Sequence, residues 1–273
     1  MIDKDAMLQR INALILKAES TEHPEEAKVF MEKAQELLSK YSLSEFDLKS
    51  ASTLGSDTVA TIAVMVQNPF INQKSTLLAQ VARANNIKVV QGQIHHRSNK
   101  SQQPHTDTWT NEKPRVITSE KASVYYRYMY LTGFTRDIDA TILLYTSFLL
   151  QITSETKRAE VPSYVNKGTW TAHFILGFAD EVGRRLRVAN NKAQHEFVAE
   201  AQATGNDMLP VLASRAAQVE SAHEMMWSGN LGRARSRSTH SFTGGQAAGR
   251  SAASTADIGN KRIGGAAALG RGN

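Results

Sequence analysis

The chain has 273 residues, of which 41% are hydrophobic and 21% are charged, as expected for a soluble globular protein with a hydrophobic core. It contains no cysteine, which excludes disulfide bonds, thiolate metal sites and a cysteine nucleophile. The formal net charge of +6 arises entirely from residues 228–273, where seven basic residues face one acidic residue. This segment therefore predicts an acidic partner, most commonly nucleic acid.

No targeting or membrane segment is predicted. The N-terminal string MIDKDAMLQR is charged and lacks the apolar stretch of a secretory signal. The longest apolar runs, at 61–66 and 142–152, are too short to cross a bilayer. We therefore expect a cytoplasmic protein.

Residues 1–49 are predicted to form a helical hairpin. Apolar side chains recur at helical spacing up to Ala18, and Pro24 begins a second helix with the same pattern. A short third helix, capped by Ser42 or Ser44, is predicted to follow.

Residues 58–157 predict an α+β core of order β-α-β-β-α, in which a small mixed sheet packs against one or two helices. The predicted strands are Val59–Val66, Ile87–Val90, Val116–Ser119 and Val124–Leu131, with a helix up to about Ala84 between the first two. The polar segment 92–114 is predicted to be a long exposed hairpin loop.

The stretch from Val124 to Ile152 is the predicted centre of the core. Its first half is aromatic and typical of a strand, a turn is expected at Gly133, and its second half is helical, with Asp137 as the helix cap. Apolar residues recur along one face of that helix at Ile138, Ile142, Tyr145, Leu149 and Ile152.

Residues 158–227 are predicted to be helical, and residues 228–273 to be a basic flexible tail. One long helix is expected over 168–190, residues 193–202 either continue it or begin its neighbour, and a last helix covers 208–227. The tail is rich in glycine and small residues and therefore buries little apolar surface. Within it, a short helix around 247–256 remains an alternative.

Four polar residues, His95, His96, His105 and Asp107, fall in the predicted loop and raise the possibility of a metal site. They lack the helical or strand spacing of metal ligands, so a solvated loop is the preferred interpretation. The pair Asp137 and Asp139 is too closely spaced to share a helix face. His223 is followed by Glu224 without a second histidine four residues on, and no phosphate-binding or nucleophile motif occurs. We expect neither a catalytic site nor a cofactor.

Clustered arginines are the candidate binding residues. A first cluster near the end of the long helix is either a solvated helix end or a docking site for nucleic acid or an acidic partner. A second cluster alternates with small residues in the tail, where flexible arginines neutralise phosphates and release counterions. The complete predicted set is Arg184, Arg185, Arg187, Arg233, Arg235, Arg237, Arg250, Lys261 and Arg262.

The string I-N-A-L-I-L-K-A-E-S-T-E-H-P-E-E-A, which begins at Ile11, is followed by K-A-Q-E-L-L-x-K-Y, which ends at Tyr41. Together they resemble the N-terminal signature of the domain of unknown function 2786 family, found in actinobacteria and their phages. Further likeness lies at Leu131–Phe134 with Asp137, at 144–151 (L-Y-T-S-F-L-L-Q), at 174–178 (F-I-L-G-F) and in the glycine-alanine segment 244–259.

Among phage proteins of this appearance, the chain is similar to the recombination directionality factors that partner large serine integrases. The resemblance implies a non-catalytic accessory protein of DNA recombination that binds the DNA-bound integrase and favours excision, contacting DNA directly or through the integrase. Two alternatives remain open, a general DNA-binding or virion-associated protein and a metal-dependent hydrolase. We expect no membrane partner, and the sequence leaves the oligomeric state open.

Overall fold

The computed structural model describes residues 4–21, 23, 25–27, 29–30, 33–34, 37, 58–97, 124–203, 209–229, 232 and 244–258. The helices are α1 (Lys4–Ser20), α2 (Ile71–Ala84), α3 (Thr135–Arg158), α4 (Lys167–Ala203), α5 (Leu209–Trp227) and α6 (Gly245–Thr255). The strands are β1 (Val59–Gln67), β2 (Lys88–Arg97) and β3 (Val124–Phe134). These elements confirm the predicted α+β fold, in which an N-terminal helix precedes a small sheet and a largely helical C-terminal half.

The three strands form one sheet with the order β1-β3-β2. Both outer strands run antiparallel to β3, with Val59 opposite Phe134 on one side and Lys88 opposite Thr132 on the other. The prediction of a mixed sheet was therefore wrong for the described strands. The reason is that α2 carries the chain across the sheet, so that β1 and β2 are parallel to each other but separated by β3.

Strand β2 continues to Arg97, so the prediction of a loop was wrong for residues 92–97. A register shift between Gln91 and Ile94 interrupts the pairing, which then resumes with β3 as far as Val124. This end of the strand is exposed to solvent and therefore polar, and polar residues are equally typical of a loop. Residues 98–123, including the predicted strand Val116–Ser119, lie outside the described residues.

Helices α2 and α3 cover one face of the sheet. Met129 and Leu131 of β3 are buried on this face, together with Leu77 and Leu78 of α2. The predicted apolar stripe of α3 is confirmed, since Ile138, Tyr145, Leu149 and Ile152 are all buried and Ile142 is half-buried.

Asp137 is not the cap of α3, and that prediction was wrong. The N-cap position is Phe134, the last residue of β3, and no side chain caps the helix there. The strand passes straight into the helix, which places Asp137 inside the first turn and not at its border. Its carboxylate lies 3.4 Å from Arg215 Nη2 of α5.

The N-terminal hairpin is confirmed in the described residues. Helix α1 buries Ile11, Ile15 and Ala18, and the helical positions within 25–37 include the buried Ala27 and Ala34. The hairpin is joined to the body by a buried ion pair between Glu19 and Lys74 of α2, with 2.7 Å between Oε2 and Nζ. The predicted third helix lies outside the described residues.

Lys157 of α3 makes a second connection to the end of α1. Its ammonium group donates hydrogen bonds to the backbone carbonyls of Glu19 and Thr21, at 3.4 and 2.7 Å. These carbonyls lie at the C-terminal end of α1, where the helix leaves acceptors without intrahelical partners and favours a positive charge.

Helix α4 runs without interruption from Lys167 to Ala203, so residues 193–202 continue the predicted helix. The last predicted helix, 208–227, is α5, which begins at Leu209. In the described part of the chain no helix combines the length and the hydropathy that a membrane span requires.

The segment 244–258 contains helix α6, which packs along α4, so the prediction of a flexible tail was wrong there and the alternative of a short helix is confirmed. Ala253 is fully buried. A Cβ atom built on Gly249 would lie 2.0 Å from the carbonyl oxygen of Phe174, so the two backbones are in direct contact. Apart from Gly232, residues 230–243 lie outside the described residues, as do residues 259–273. The division of the chain into domains at 1–49, 58–157, 158–227 and 228–273 stays a prediction.

Candidate nucleic-acid or partner interface

The predicted arginines of α4 point in two different directions. Val182 and Leu186 of this helix are buried in the core, and Gly183 between them is buried beside Gln80 of α2. Arg184 and Arg187 are exposed, whereas Arg185 is half-buried. The three arginines therefore do not form one continuous cationic face.

Arg185 is occupied by helix α6. Its Nη1 atom donates to the backbone carbonyls of Ala253 and Ala256, at 2.5 and 2.9 Å. These acceptors lie at the C-terminal end of α6, where carbonyls lack helical partners and a positive charge is stabilising. Gln151 of α3 holds the next residue, because its side chain accepts from Asp257 N and donates to Asp257 O. Both contacts attach the end of α6 to the body of the protein.

Arg184 forms a two-point ion pair with Glu181, one helical turn earlier. The Nε and Nη2 atoms of the guanidinium lie 2.9 and 2.6 Å from the two carboxylate oxygens. The hydrogen bond from Arg184 lowers the pKa of Glu181 below its usual range, and the positive charges of Arg185 and Arg250 act in the same direction. The same pairing raises the pKa of Arg184.

Replacing Arg184 with glutamine is expected to raise the pKa of Glu181 toward its usual value. Because the folded-state pKa is depressed, the pair stabilises the fold above the unfolded-state pKa and loses this contribution as pH falls through the folded-state pKa. The effect on stability is expected to be small, since Arg184 is largely solvated. An NMR titration of the Glu181 carboxyl in both proteins measures the shift, and an unchanged midpoint would contradict the assignment.

Arg187 and Arg250 complete a shallow cleft around this pair. Arg187 Nη1 lies 3.1 Å from Gln80 Oε1 of α2, and Arg250 Nη2 of α6 lies 3.5 Å from Asp180 Oδ2 of α4. The cleft has a volume of about 470 Å³ and is lined by Gln80, Asp180, Glu181, Arg184, Arg187 and Arg250. It thus brings together three predicted arginines that are separated by up to 66 positions, but two carboxylates offset most of their charge.

The remaining predicted cations, Arg233, Arg235, Arg237, Lys261 and Arg262, lie outside the described residues. Their distance from α6 is nevertheless limited by the chain. Arg237 precedes Gly244 by seven residues and Lys261 follows Ile258 by three, which corresponds to at most about 25 Å and about 11 Å of extended chain. Arg233 precedes Gly244 by eleven residues, at most about 40 Å of extended chain, so the connection to α6 limits where these cations lie without fixing their positions.

The candidate metal residues do not converge in the described structure. His95 and His96 are neighbours on strand β2, so their side chains project from opposite faces of the sheet. His95 stacks on Tyr126 with ring centroids 5.3 Å apart, and His96 contacts Tyr125 at 4.5 Å. His105 and Asp107 lie outside the described residues, and the described part of the chain contains no group of three potential metal ligands.

A second candidate surface was missed in the sequence. Five rings contact one another in series across β2, β3 and the end of α5, in the order His95, Tyr126, Tyr128, Tyr130 and Trp227. We call this series the aromatic ladder. The signal was present as tyrosines at every second position of a predicted strand, which places them on one face. That pattern was assigned only to the strand and not to a surface.

Comparison with known proteins gives one result. Residues 6–45 match the model of a family described as protein of unknown function DUF2786. Neither a curated protein nor a solved structure matches the chain. The comparison therefore shows that the N-terminal hairpin is similar to DUF2786. The resemblance proposed for segments beyond residue 45 stays a prediction.

Proposed function

We propose that the protein is a non-catalytic, phage-encoded accessory protein of DNA recombination that binds a DNA-bound large serine integrase and favours excision. The observation that carries the proposal is the charge distribution. Residues 228–273 carry the whole net charge of +6, whereas the remainder of the chain is neutral. Such a segment attracts the phosphate backbone with little dependence on sequence, and specificity then comes from contacts of the neutral body with the integrase.

The docking of α6 supports a defined position for this charge. A basic tail joined only at residue 227 would sample a large volume around the protein. With α6 held on α4 by Arg185 and by close backbone contact, one basic segment precedes the helix and another follows it. Arg250, which lies on α6 itself, adds a cation between the two segments. Of the basic residues in 228–273, Arg250 is the one that lies within the described residues, and it is held on the body beside Asp180.

A directionality factor acts by differential binding. An integrase complex exchanges between conformations that lead to integration or to excision, and a partner that binds one of them more tightly shifts the population toward it. A difference in affinity of about 10⁴-fold is needed to reverse a 99:1 preference. The protein therefore needs no catalytic groups of its own, only a surface that distinguishes the two complexes.

The test is a mobility-shift assay on attachment-site DNA, with and without a serine integrase from the same genome. We expect a supershift of the integrase–DNA complex and little shift by the protein alone at physiological salt. The variant with Arg233, Arg235 and Arg237 replaced by glutamine, called the tail variant below, is expected to weaken the supershift. Its salt dependence should decrease as well, by about 0.9 in the log–log slope for each phosphate contact that is lost.

A charge-matched control replaces Arg10, Arg83 and Arg158 with glutamine, three exposed arginines outside the tail. This control removes the same net charge and is expected to retain the supershift. An equal loss of the supershift in both variants would show that the tail acts only through the net charge of the protein. A full shift of DNA by the protein alone, unchanged by integrase, would overturn the proposal in favour of a general DNA-binding protein.

A further inference from the structure

The two faces of the sheet differ in chemistry. On one face Arg127, Met129 and Leu131 of β3 point into the protein and are buried. The opposite face presents Tyr126, Tyr128 and Tyr130, all half-buried. Thr132 belongs to the same face and shares a hydrogen bond of 2.8 Å with Thr61 of β1. The aromatic ladder therefore lies on the face that α2 and α3 leave uncovered.

Among the described elements, helix α5 packs on this face and contacts one end of it. Trp227 contacts Tyr130 with ring centroids 5.0 Å apart, and Glu220 forms an ion pair with Lys88 of β2. Both contacts lie at the end of the sheet where Lys88 is opposite Thr132. The other end, where His95 is opposite Tyr126, projects beyond them, and His95 is exposed.

This end, which no described helix covers, combines rings with a cation. Strand pairing places His95 opposite Tyr126 and Arg97 opposite Val124, so Arg97 shares the face of the tyrosines and lies next to them. Its side chain is exposed. From β1, Gln67 is opposite Tyr126 and adds an amide to the same surface. Rings, a guanidinium and an amide thus occur together without an acidic side chain among these paired positions.

We propose that this surface, formed by Tyr126, Tyr128, His95 and Arg97, binds single-stranded nucleic acid. Unpaired bases stack on aromatic side chains irrespective of sequence, and a guanidinium beside the rings neutralises a phosphate of the same strand. A duplex keeps its bases stacked on each other, so it gains only the phosphate contact. A peptide is a poorer match, because grooves that bind peptides offer apolar pockets for the peptide side chains. This surface instead presents the polar ends of rings and a guanidinium.

The proposal goes beyond the function assigned above, because it requires neither the integrase nor the basic tail. It adds a site that binds unpaired nucleotides by base stacking, whereas the tail binds phosphates. Failure of the integrase supershift would leave this site intact, and failure of this site would leave the supershift unaffected.

The experiment measures fluorescence anisotropy of a labelled oligo-thymidine of about 12 nucleotides, a length suited to a single stacking surface. The tail variant is used as the starting protein, so that the contribution of Arg233, Arg235 and Arg237 to binding is removed. We expect binding at about 50 mM salt, and weaker competition by a duplex of equal length than by the unlabelled single strand. Tyr126→Ala is expected to weaken binding by about tenfold, within the range measured for the loss of one stacked base.

The matched control is Tyr164→Ala. Tyr164 is 86% exposed and lies in the connection between α3 and α4, outside the strands, and its replacement is expected to leave binding unchanged. Thermal melting followed by circular dichroism verifies that each variant is folded. If Tyr126→Ala does not fold, Arg97→Glu decides instead, because an exposed side chain is replaced and binding is still expected to fall by several-fold.

Equal binding by wild-type and folded Tyr126→Ala proteins would overturn the proposal, as would equal affinity for the duplex. Absence of oligo-thymidine binding at low salt would overturn it too, and would leave the face as a candidate for protein docking. Loss of oligo-thymidine binding in Tyr126→Ala and Arg97→Glu, with binding by Tyr164→Ala unchanged, would establish the site.

Discussion

Replacing Lys74 with methionine is expected to lower the free energy of unfolding by about 3–5 kcal/mol, the usual cost of removing one partner from a buried ion pair. The side chains of Lys74 and Glu19 are only 4% and 11% exposed. Methionine fills a similar volume but leaves the carboxylate of Glu19 buried without its counterion. Urea denaturation of the two proteins, with equal m-values, measures the difference.

A matched control is available in the same chain. Lys88 pairs with Glu220 on the surface, with side chains 44% and 47% exposed, so Lys88→Met is expected to cost at most about 1 kcal/mol. The double variant Glu19→Leu and Lys74→Met removes both buried charges. Its stability is expected to return close to that of the wild type, because the desolvation cost disappears together with the attraction. Equal costs for Lys74→Met and Lys88→Met would show that burial of the first pair has no energetic consequence.

The buried pair gives part of the family signature a physical role. Glu19 lies within residues 6–45, the segment that is similar to DUF2786, and its partner Lys74 lies outside it. Lys157 also comes from outside and donates to the carbonyl of Glu19. The glutamate of the string A-E-S-T therefore serves here to attach the N-terminal hairpin to α2 and α3.

Elements that bury large apolar side chains were predictable from the sequence. Helix α3 was predictable because its buried residues recur at helical spacing, and strand β1 because its residues 62–66 form an apolar run. The polar half of β2 was not predictable, because an exposed strand end that pairs through its backbone has no hydrophobic pattern in the sequence. The position of β3 between β1 and β2 depends on pairing across long sequence separations, which local patterns do not report.

The candidate site was predictable only in part. The charge asymmetry and the arginine clusters are properties of the sequence, but the engagement of Arg185 with the end of α6 is not. That contact depends on a docked helix of small residues, whose sequence resembles a flexible tail. Its stabilisation comes from the close approach of two backbones and from polar capping, and a measure of apolar surface detects neither.

Gly249→Ala is expected to release α6 from α4. A Cβ atom at this position would lie 2.0 Å from Phe174 O, and a Cβ atom at Gly177 of α4 would lie equally close to Gln246 O. The added methyl group therefore forces the helices apart, and overpacking of this kind typically costs about 1–3 kcal/mol. The sign of the stability change is informative, because alanine favours a helix by about 1 kcal/mol over glycine. Without the contact, the substitution would therefore stabilise α6.

Amide hydrogen exchange measures the release directly, because protection in 245–255 is expected to fall while that in α3 persists. Gly232→Ala is the matched control, since a Cβ atom there meets no atom of the described residues within 4 Å. Retained or increased protection in Gly249→Ala would show that helix propensity outweighs the contact and that α6 is not docked. If protection is lost, the same variant tests the proposed function, because undocking frees the basic segments while leaving every arginine in place. A weaker integrase supershift would then assign the effect to the position of the charge and not to its amount.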